Sequence, residues 1–372
     1  MFDNVIDEQR LVEQFIELTK IDAVSFKERK IADRVKEKII ELGEKPYEDN
    51  CYEVIGGNAG NVYFAVDGSK DKAPVLFVAH LDTVAPGINK KPKVVDGRIV
   101  SDGTTVLGAD DIGGVSAILE AVRILKENNI PHRPIEVLFP VAEEIYVKGS
   151  KNFDYSKIKA KKAYVLDLSG EIGKASLREP TLISFKIVIK GKAAHAGFEP
   201  EKGVNAISIF AEAVSQIKQG RIDKATTVNI GVVNGGTVTN AVPASVSLEG
   251  EIRSFVHEKA LEQIESIKNI FKEAAKKYGG AITIEKEEVN LAAYNVEKDE
   301  QVVKDYVEAL NKLNIEPQFT QTFGGSDNNS LRQNGINGIV LACAMEKVHT
   351  VDEYCEISSL VKLLKIVLAL AV

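Results

Sequence analysis

Short apolar runs alternate with amphipathic stretches along most of this chain. DEQRLVEQFIELTKI and FKERKIADRVKEKIIELG carry apolar residues at helical spacing, and Gly43 closes the second. NVYFAV and APVLFVAH read as strands, with the turn DGSKDK between them. VVDGRIVSDG has the pattern of a small hairpin about Asp96-Gly97. GGVSAILEAVRILKENNI is an amphipathic helix entered through glycines, and RPIEVLFPVAEE and KAYVLDLSG are buried strands that end in acids. Such alternation predicts an α/β fold: a helix-flanked, largely parallel sheet.

The pattern changes at Glu179-Pro180. TLISFKIVIKG alternates with a period of two, which suits a sheet with one wet face. A helix (VNAISIFAEAVSQIKQ), two strands (TTVNIGVVNGG, ASVSLEGEIRSF), a long helix (EKALEQIESIKNIFKEAAKKYG) and a strand (AITIEKEEV) follow. This β-α-β-β-α-β order is ferredoxin-like. The reading is therefore a catalytic domain from 1–178 and 291–372, with an α+β domain inserted at 179–290. The first domain resumes with the helix EQVVKDYVEALNKLN, the loop TFGGSDNNS, the strand NGIVLACA and a docked terminal helix.

A length of 372 residues with 44% hydrophobic content allows two domains with sizeable cores. The net charge of −7 speaks against a nucleic-acid partner and against an anionic membrane surface. LVKLLKIVLALAV is too short, and too interrupted by lysines, to span a bilayer, which takes about 20 apolar residues. Cys51, Cys343 and Cys355 form no CxxC pair, and Cys343 lies inside an apolar run as a core residue. With no signal region at the N-terminus, a reducing cytoplasm is the expected setting.

Chemistry enters where apolar strands end. LFVAHLDTV brings His80 and Asp82 to one face, because alternate strand residues share a side. GADD (Asp110, Asp111), VAEE (Glu143, Glu144) and VLD (Asp167) read as three more such ends, and MEKVHT supplies His349. Imidazole nitrogens and carboxylate oxygens suit zinc, and cobalt or manganese would also bind. Two histidines and three carboxylates would serve a pair of divalent ions, leaving one of the adjacent glutamates to move protons. Taken singly, each residue has a plainer reading as a helix cap or a solvated acid. Together they point to a metal site at the strand ends, the usual edge for sites in open α/β sheets.

HLDTV, GADDIGG, VAEE, VLD and the late histidine together resemble the M20 family of metallopeptidases, and its peptidase T (tripeptidase) branch most. The resemblance covers nearly the whole chain. It implies His80 and Asp167 as ligands of one metal, His349 and Glu144 as ligands of the other, and Asp110 as the bridge through a cis bond to Asp111. Asp82 would orient His80 or its neighbours, and Glu143 would be the general base. In the inserted domain it implies His195 as a donor to the substrate carbonyl, Asn240 as a polar contact and Arg253 as a partner for a substrate carboxylate. Gly324, Gly325 and Ser326 would line the substrate cleft. A homodimer through the inserted domain also follows. His132 and His257 match no motif and are read as surface residues. Ile112 stands where the peptidase T branch usually has lysine, which opens other peptide or acyl-amino-acid preferences.

The expectation is a two-metal, aminopeptidase-like hydrolase of short peptides, tripeptides first. Its rivals are an N-acyl amino acid amidohydrolase or carboxypeptidase of the same fold, and a non-catalytic metal- or peptide-binding protein. A metallophosphatase is weaker, for want of a phosphate loop.

Overall fold

The computed structural model describes residues 2–372. The chain divides into two compact units. One runs to Leu177 and resumes over Asn295–Thr322 and Ser326–Val372; the other is Arg178–Tyr294 with the short return Phe323–Gly325.

The first unit is built on an eight-stranded sheet. Its order is Tyr47–Glu48, Val62–Val66, Ile135–Phe139, Val75–Val78, Lys162–Leu168, Asn337–Ala342, Lys174–Ser176, Gln318–Thr320. The centre, from Ile135–Phe139 to Asn337–Ala342, is parallel. Antiparallel pairings flank it, with Val62–Val66 on one side and Lys174–Ser176 on the other. The sheet is thus mixed, with its parallel part where the candidate ligands arise. Every residue of Val75–Val78 and Ile135–Phe139 is buried, as expected for strands covered on both faces.

Helices cover this sheet for local reasons. Asp7 caps Glu8–Thr19 by accepting from the Arg10 N–H, and Gly43 at φ 79° ends Arg29–Glu41. Ala109–Glu127 packs against Ile357–Ala371 and Glu8–Thr19. Ile357–Ala371 buries Leu360, Leu363, Leu364 and Val367, so the apolar C-terminal run is a docked helix. Among the described residues no helix is long and apolar enough to cross a membrane.

In the second unit the main strands lie in the order Thr226–Gly235, Ser245–Ser254, Thr181–Lys190, Ala281–Leu291, all antiparallel. The short strand Gly220–Arg221 pairs outside the first of these. Ile183, Phe185, Ile187 and Ile189 point into a core shared with the helices Ala206–Gln216 and His257–Tyr278, while Lys190 faces solvent. The expected wet face is present only toward Lys190, since Leu182 and Ser184 on the opposite face are buried as well.

Two local expectations are corrected. GADD does not end a strand: Asp110 and Asp111 open the helix Ala109–Glu127, after Gly108 in a left-handed conformation. The loop through Ser326 is shorter than expected, because Ser326 caps a helix, Asp327–Gln333, with a reciprocal capping box to Asn329.

Candidate metal centre

His80 stands two residues beyond the strand Val75–Val78 and is 1% exposed. Its Nδ1 is 2.9 Å from the carbonyl oxygen of Asp82. A carbonyl only accepts, so Nδ1 carries a proton and Nε2 is turned to the acids. Nε2 lies 3.0 Å from Asp110 Oδ1 and 3.9 Å from Asp167 Oδ1. The other oxygen of Asp110, Oδ2, is 3.2 Å from His349 Nε2, which is itself 3.0 Å from Glu144 Oε1. One carboxylate thus spans two imidazoles, each with a further acid beside it. The Asp110–Asp111 peptide bond is cis, as the family resemblance implies.

The charges show what this arrangement needs. Burial drives the Asp167 carboxyl well above its ordinary pKa, and Glu143 and Asp110 add to the effect. Burial raises Glu143 too; His80 opposes it, while Asp327 and Glu144 reinforce it. At Asp110 burial is outweighed by the hydrogen bonds of His349 and His80, which hold it below the usual range. His349 is pushed up to about 10, first by Asp110 and then by Glu144. His80 rises well above its ordinary value: burial works against the imidazolium, but Asp110 and Asp82 prevail. So many clustered acids demand positive charge at the imidazole Nε2 positions.

A divalent cation fits that demand. Donor atoms of His80, Asp110 and Glu144 lie within 4.8 Å of one another, as do those of His80, Glu143 and Asp167. Imidazole nitrogen with carboxylate oxygen is a donor set for zinc and its neighbours. Proximity alone does not separate Glu143 from the ligands.

Buried carboxylates hold this cluster from behind. The Asp82 carboxylate meets the His80 ring only at 3.5 Å, Oδ1 to Nδ1, and makes its shorter contacts elsewhere. Its Oδ1 accepts from the Glu143 N–H at 2.9 Å, and its Oδ2 from the Glu144 N–H at 3.3 Å and the Ser25 hydroxyl at 2.7 Å. It therefore fixes the backbone of the glutamate pair. Asp111, 0% exposed, accepts from the backbone N–H of His80 and of Gly114, and from the Cys343 thiol at 3.0 Å. Glu28 accepts from the Ala142 N–H, just ahead of Glu143, and burial with Asp82 nearby pushes it up to about 7. Glu353 accepts from Gly108 and Asp110 N–H groups, and burial pushes it up to about 7 as well. Asp327, 1% exposed, is pushed up to about 7 by burial too. Sequence reasoning missed Glu28, Glu353 and Asp327, and gave Asp111 and Cys343 no partner. Acids before helices and strands read as solvated side chains until the fold buries them.

The substrate candidates lie elsewhere in the chain. His195 is exposed, and its Nδ1 accepts from the N–H groups of Gly197 and Phe198, both at 3.1 Å. The remaining proton is therefore on Nε2, which is a donor. Phe198, 86% exposed, stacks on the imidazole with centroids 4.1 Å apart. The Asn240 carbonyl accepts from the Ala196 N–H at 3.0 Å, so His195 and Asn240 share one loop pair. Arg253 is already engaged: Nε and Nη2 grip Glu251 at 2.8 and 3.2 Å, and Nη1 donates to the Phe323 carbonyl at 2.8 Å. That last bond places Arg253 next to Gly324 and Gly325, while Ser326 caps its helix in the first unit. His132 and His257, expected at the surface, are half-buried; the His257 Nδ1 is 2.9 Å from the Thr181 hydroxyl.

Comparison with known proteins agrees with this picture. The model for the M20 peptidase dimerisation domain matches residues 178–279, and that for peptidase family M28 matches residues 61–214. The chain is 40% identical over 366 residues to the uncharacterized protein YqjE of Bacillus subtilis, covering 98% of each. In crystal structures it resembles the aminopeptidase PepT of Bacillus cereus (39% identity, TM-score 0.91) and a tripeptidase of Staphylococcus aureus (36%, 0.94). Both comparisons cover 99% of this chain and 98% of the other. Fold, acid–imidazole cluster and relatives define a metal-dependent peptidase. The chain belongs to the M20 family of metallopeptidases and is peptidase T-like.

Proposed function

We propose that this chain is a two-metal aminopeptidase that removes the N-terminal residue of short peptides, tripeptides first. The observation that carries the reading is the Asp110 carboxylate, with His80 3.0 Å from one oxygen and His349 3.2 Å from the other. In this reading His80, Asp110 and Asp167 would hold one ion, and His349, Asp110 and Glu144 would hold the second. Zinc suits the donors. The pair of ions would supply Lewis acidity toward the scissile carbonyl and acidify water.

The protein's own groups do the remaining work. Glu143, its backbone N–H fixed by Asp82, takes a proton from the attacking water and returns it to the leaving amine. His195, with its proton set on Nε2 by two backbone donors, stabilises negative charge on the carbonyl oxygen. Arg253 has five N–H donors and spends three on Glu251 and Phe323, which leaves two for a substrate carboxylate. Asn240, Gly324, Gly325 and Ser326 complete the contacts. A second copy of the chain docks on the inserted unit, a reading supported by the dimerisation-domain match. Three buried, free cysteines accord with a reducing cytoplasm.

Similarity to proteins named aminopeptidase and tripeptidase supports this choice over the amidohydrolase alternative. The test is a digest of di-, tri- and tetrapeptides by metal-reconstituted protein, with free or acetylated N-termini and acid or amide C-termini. Release of the first residue from free-amino tripeptides, with acetylated and amidated forms cut at least tenfold more slowly, is the expected result. Equal cleavage of acetylated peptides would replace aminopeptidase with amidohydrolase.

A further inference from the structure

The segment carrying His349 is bent hard. Ala344, Lys347 and His349 all adopt left-handed backbone conformations, at φ 47°, 53° and 62°, which non-glycine residues rarely hold without support. Support comes from two places. Glu346 and Tyr354 exchange backbone hydrogen bonds at 3.0 and 3.1 Å and close the segment at its base. Next to Tyr354 is Glu353, fully buried, whose own N–H donates to the Thr350 carbonyl at 3.2 Å.

The Glu353 side chain leaves its own segment. Oε2 accepts from the Gly108 N–H at 2.8 Å, and Oε1 from the Asp110 N–H at 3.1 Å. It therefore grips the turn that presents Asp110. That turn is irregular: Gly108 has φ 80°, and Asp110 and Asp111 depart from helical geometry. Each carboxylate oxygen takes one backbone donor, a strong form of hydrogen bond that fixes both distance and direction. The buried Lys90 amine lies 3.5 Å from the point a Cβ on Gly108 would occupy, so positive charge stands beside the grip.

We propose that Glu353 is a positioning residue for the metal centre, tying the His349 segment to the Asp110 turn so that the two ligands keep their spacing. The inference rests on the two-ion reading above. His80 and Asp167 need no such tie. His80 is fixed by the Asp82 carbonyl and by Asp111, and Asp167 lies within the strand Lys162–Leu168. Asp110 serves both ions and the His349 segment only one, so loss of Glu353 disturbs both sites and the His349, Asp110 and Glu144 position more.

The test is metal uptake, read apart from turnover. Wild type, E353Q and E353A are stripped and titrated with Co²⁺ in a chelator-buffered series. Elemental analysis counts the ions, the visible cobalt bands report each site, and thermal melts of the stripped proteins report folding. E353Q keeps the shape but turns an N–H toward a backbone N–H. The His349, Asp110 and Glu144 site should weaken about 10–100-fold, the usual effect of losing a group that orients a ligand, and the His80, Asp110 and Asp167 site clearly less. E353A should behave likewise, and stripped E353Q should melt close to stripped wild type. If both E353Q sites bind as in wild type, or if both weaken in parallel with a fall in melting temperature, Glu353 is not a positioning residue. A wild-type chain that takes up a single ion overturns the two-ion reading itself, and with it the selective effect claimed here.

Discussion

Glu143 and Glu144 are neighbours in sequence, and one carboxylate, Asp82, receives both of their backbone N–H groups. Their side chains nevertheless meet different surroundings. Glu144 Oε1 is 3.0 Å from the His349 imidazole, a partner that partly offsets the cost of its burial. For Glu143, burial comes first and the acids Asp327 and Glu144 add to it, so its carboxyl has the greater affinity for a proton. In the proposed reading, environment would make a ligand and a base from the same residue type. Glu143→Gln should leave metal content and melting temperature near wild type while kcat falls by about 10²–10⁴, the range for a lost general base. Glu144→Ala should instead lower metal content. Elemental analysis beside steady-state kinetics decides, and equal loss of metal in both variants would mean that the pair is wrongly divided.

At the scale of elements, the regular pieces were legible and the joints were not. TLISFKIVIKG announced its buried face because Ile183, Phe185, Ile187 and Ile189 recur at a period of two. The hairpin at Asp96-Gly97 followed from turn chemistry, and both residues do have positive φ, 47° and 76°. The acid–histidine cluster was legible as a set of residue types, although Asp110 reaches it from the start of a helix and not from a strand end. What the sequence hid was the turn that opens the helix Ala109–Glu127. A glycine followed by alanine and two acids reads equally as a strand end or a helix cap, and the grip of Glu353 on that turn spans a gap of 243 residues in sequence. Gly108 is the joint that makes this turn possible. It sits at φ 80°, and a Cβ there would lie 3.1 Å from Thr83 Cγ2. Gly108→Ala combines an unfavourable backbone with a tight contact and should cost about 1–3 kcal/mol. Denaturant unfolding of the stripped protein measures this directly. A loss below about 0.5 kcal/mol would show that the turn relaxes without harm.

For the whole molecule, the second unit raises the question of assembly. Sheet edges are liabilities unless something covers them. In Thr226–Gly235 the outer edge is paired with Gly220–Arg221 only at Thr227 and Val228. Beyond that, Ile230 donates its N–H to the Gln219 side chain, while Val232 and Val233 are 47% and 44% exposed. Val238, 58% exposed, and Ile207, 44% exposed, also present apolar surface in the same unit. A soluble monomer gains nothing from exposing adjacent valines on a half-paired strand. A second copy would bury them and supply the missing backbone partners. The match of residues 178–279 to a peptidase dimerisation domain points to this unit as well. Sedimentation of the wild-type chain at micromolar concentration should therefore show a dimer. V232K/V233K places two charges on the strand and should shift the species to monomer, because an edge lysine resists strand pairing. Its metal content should be unchanged, since the substitutions lie in the second unit and the candidate ligands in the first. A wild-type monomer, or a double variant that stays dimeric, would move the interface away from this edge.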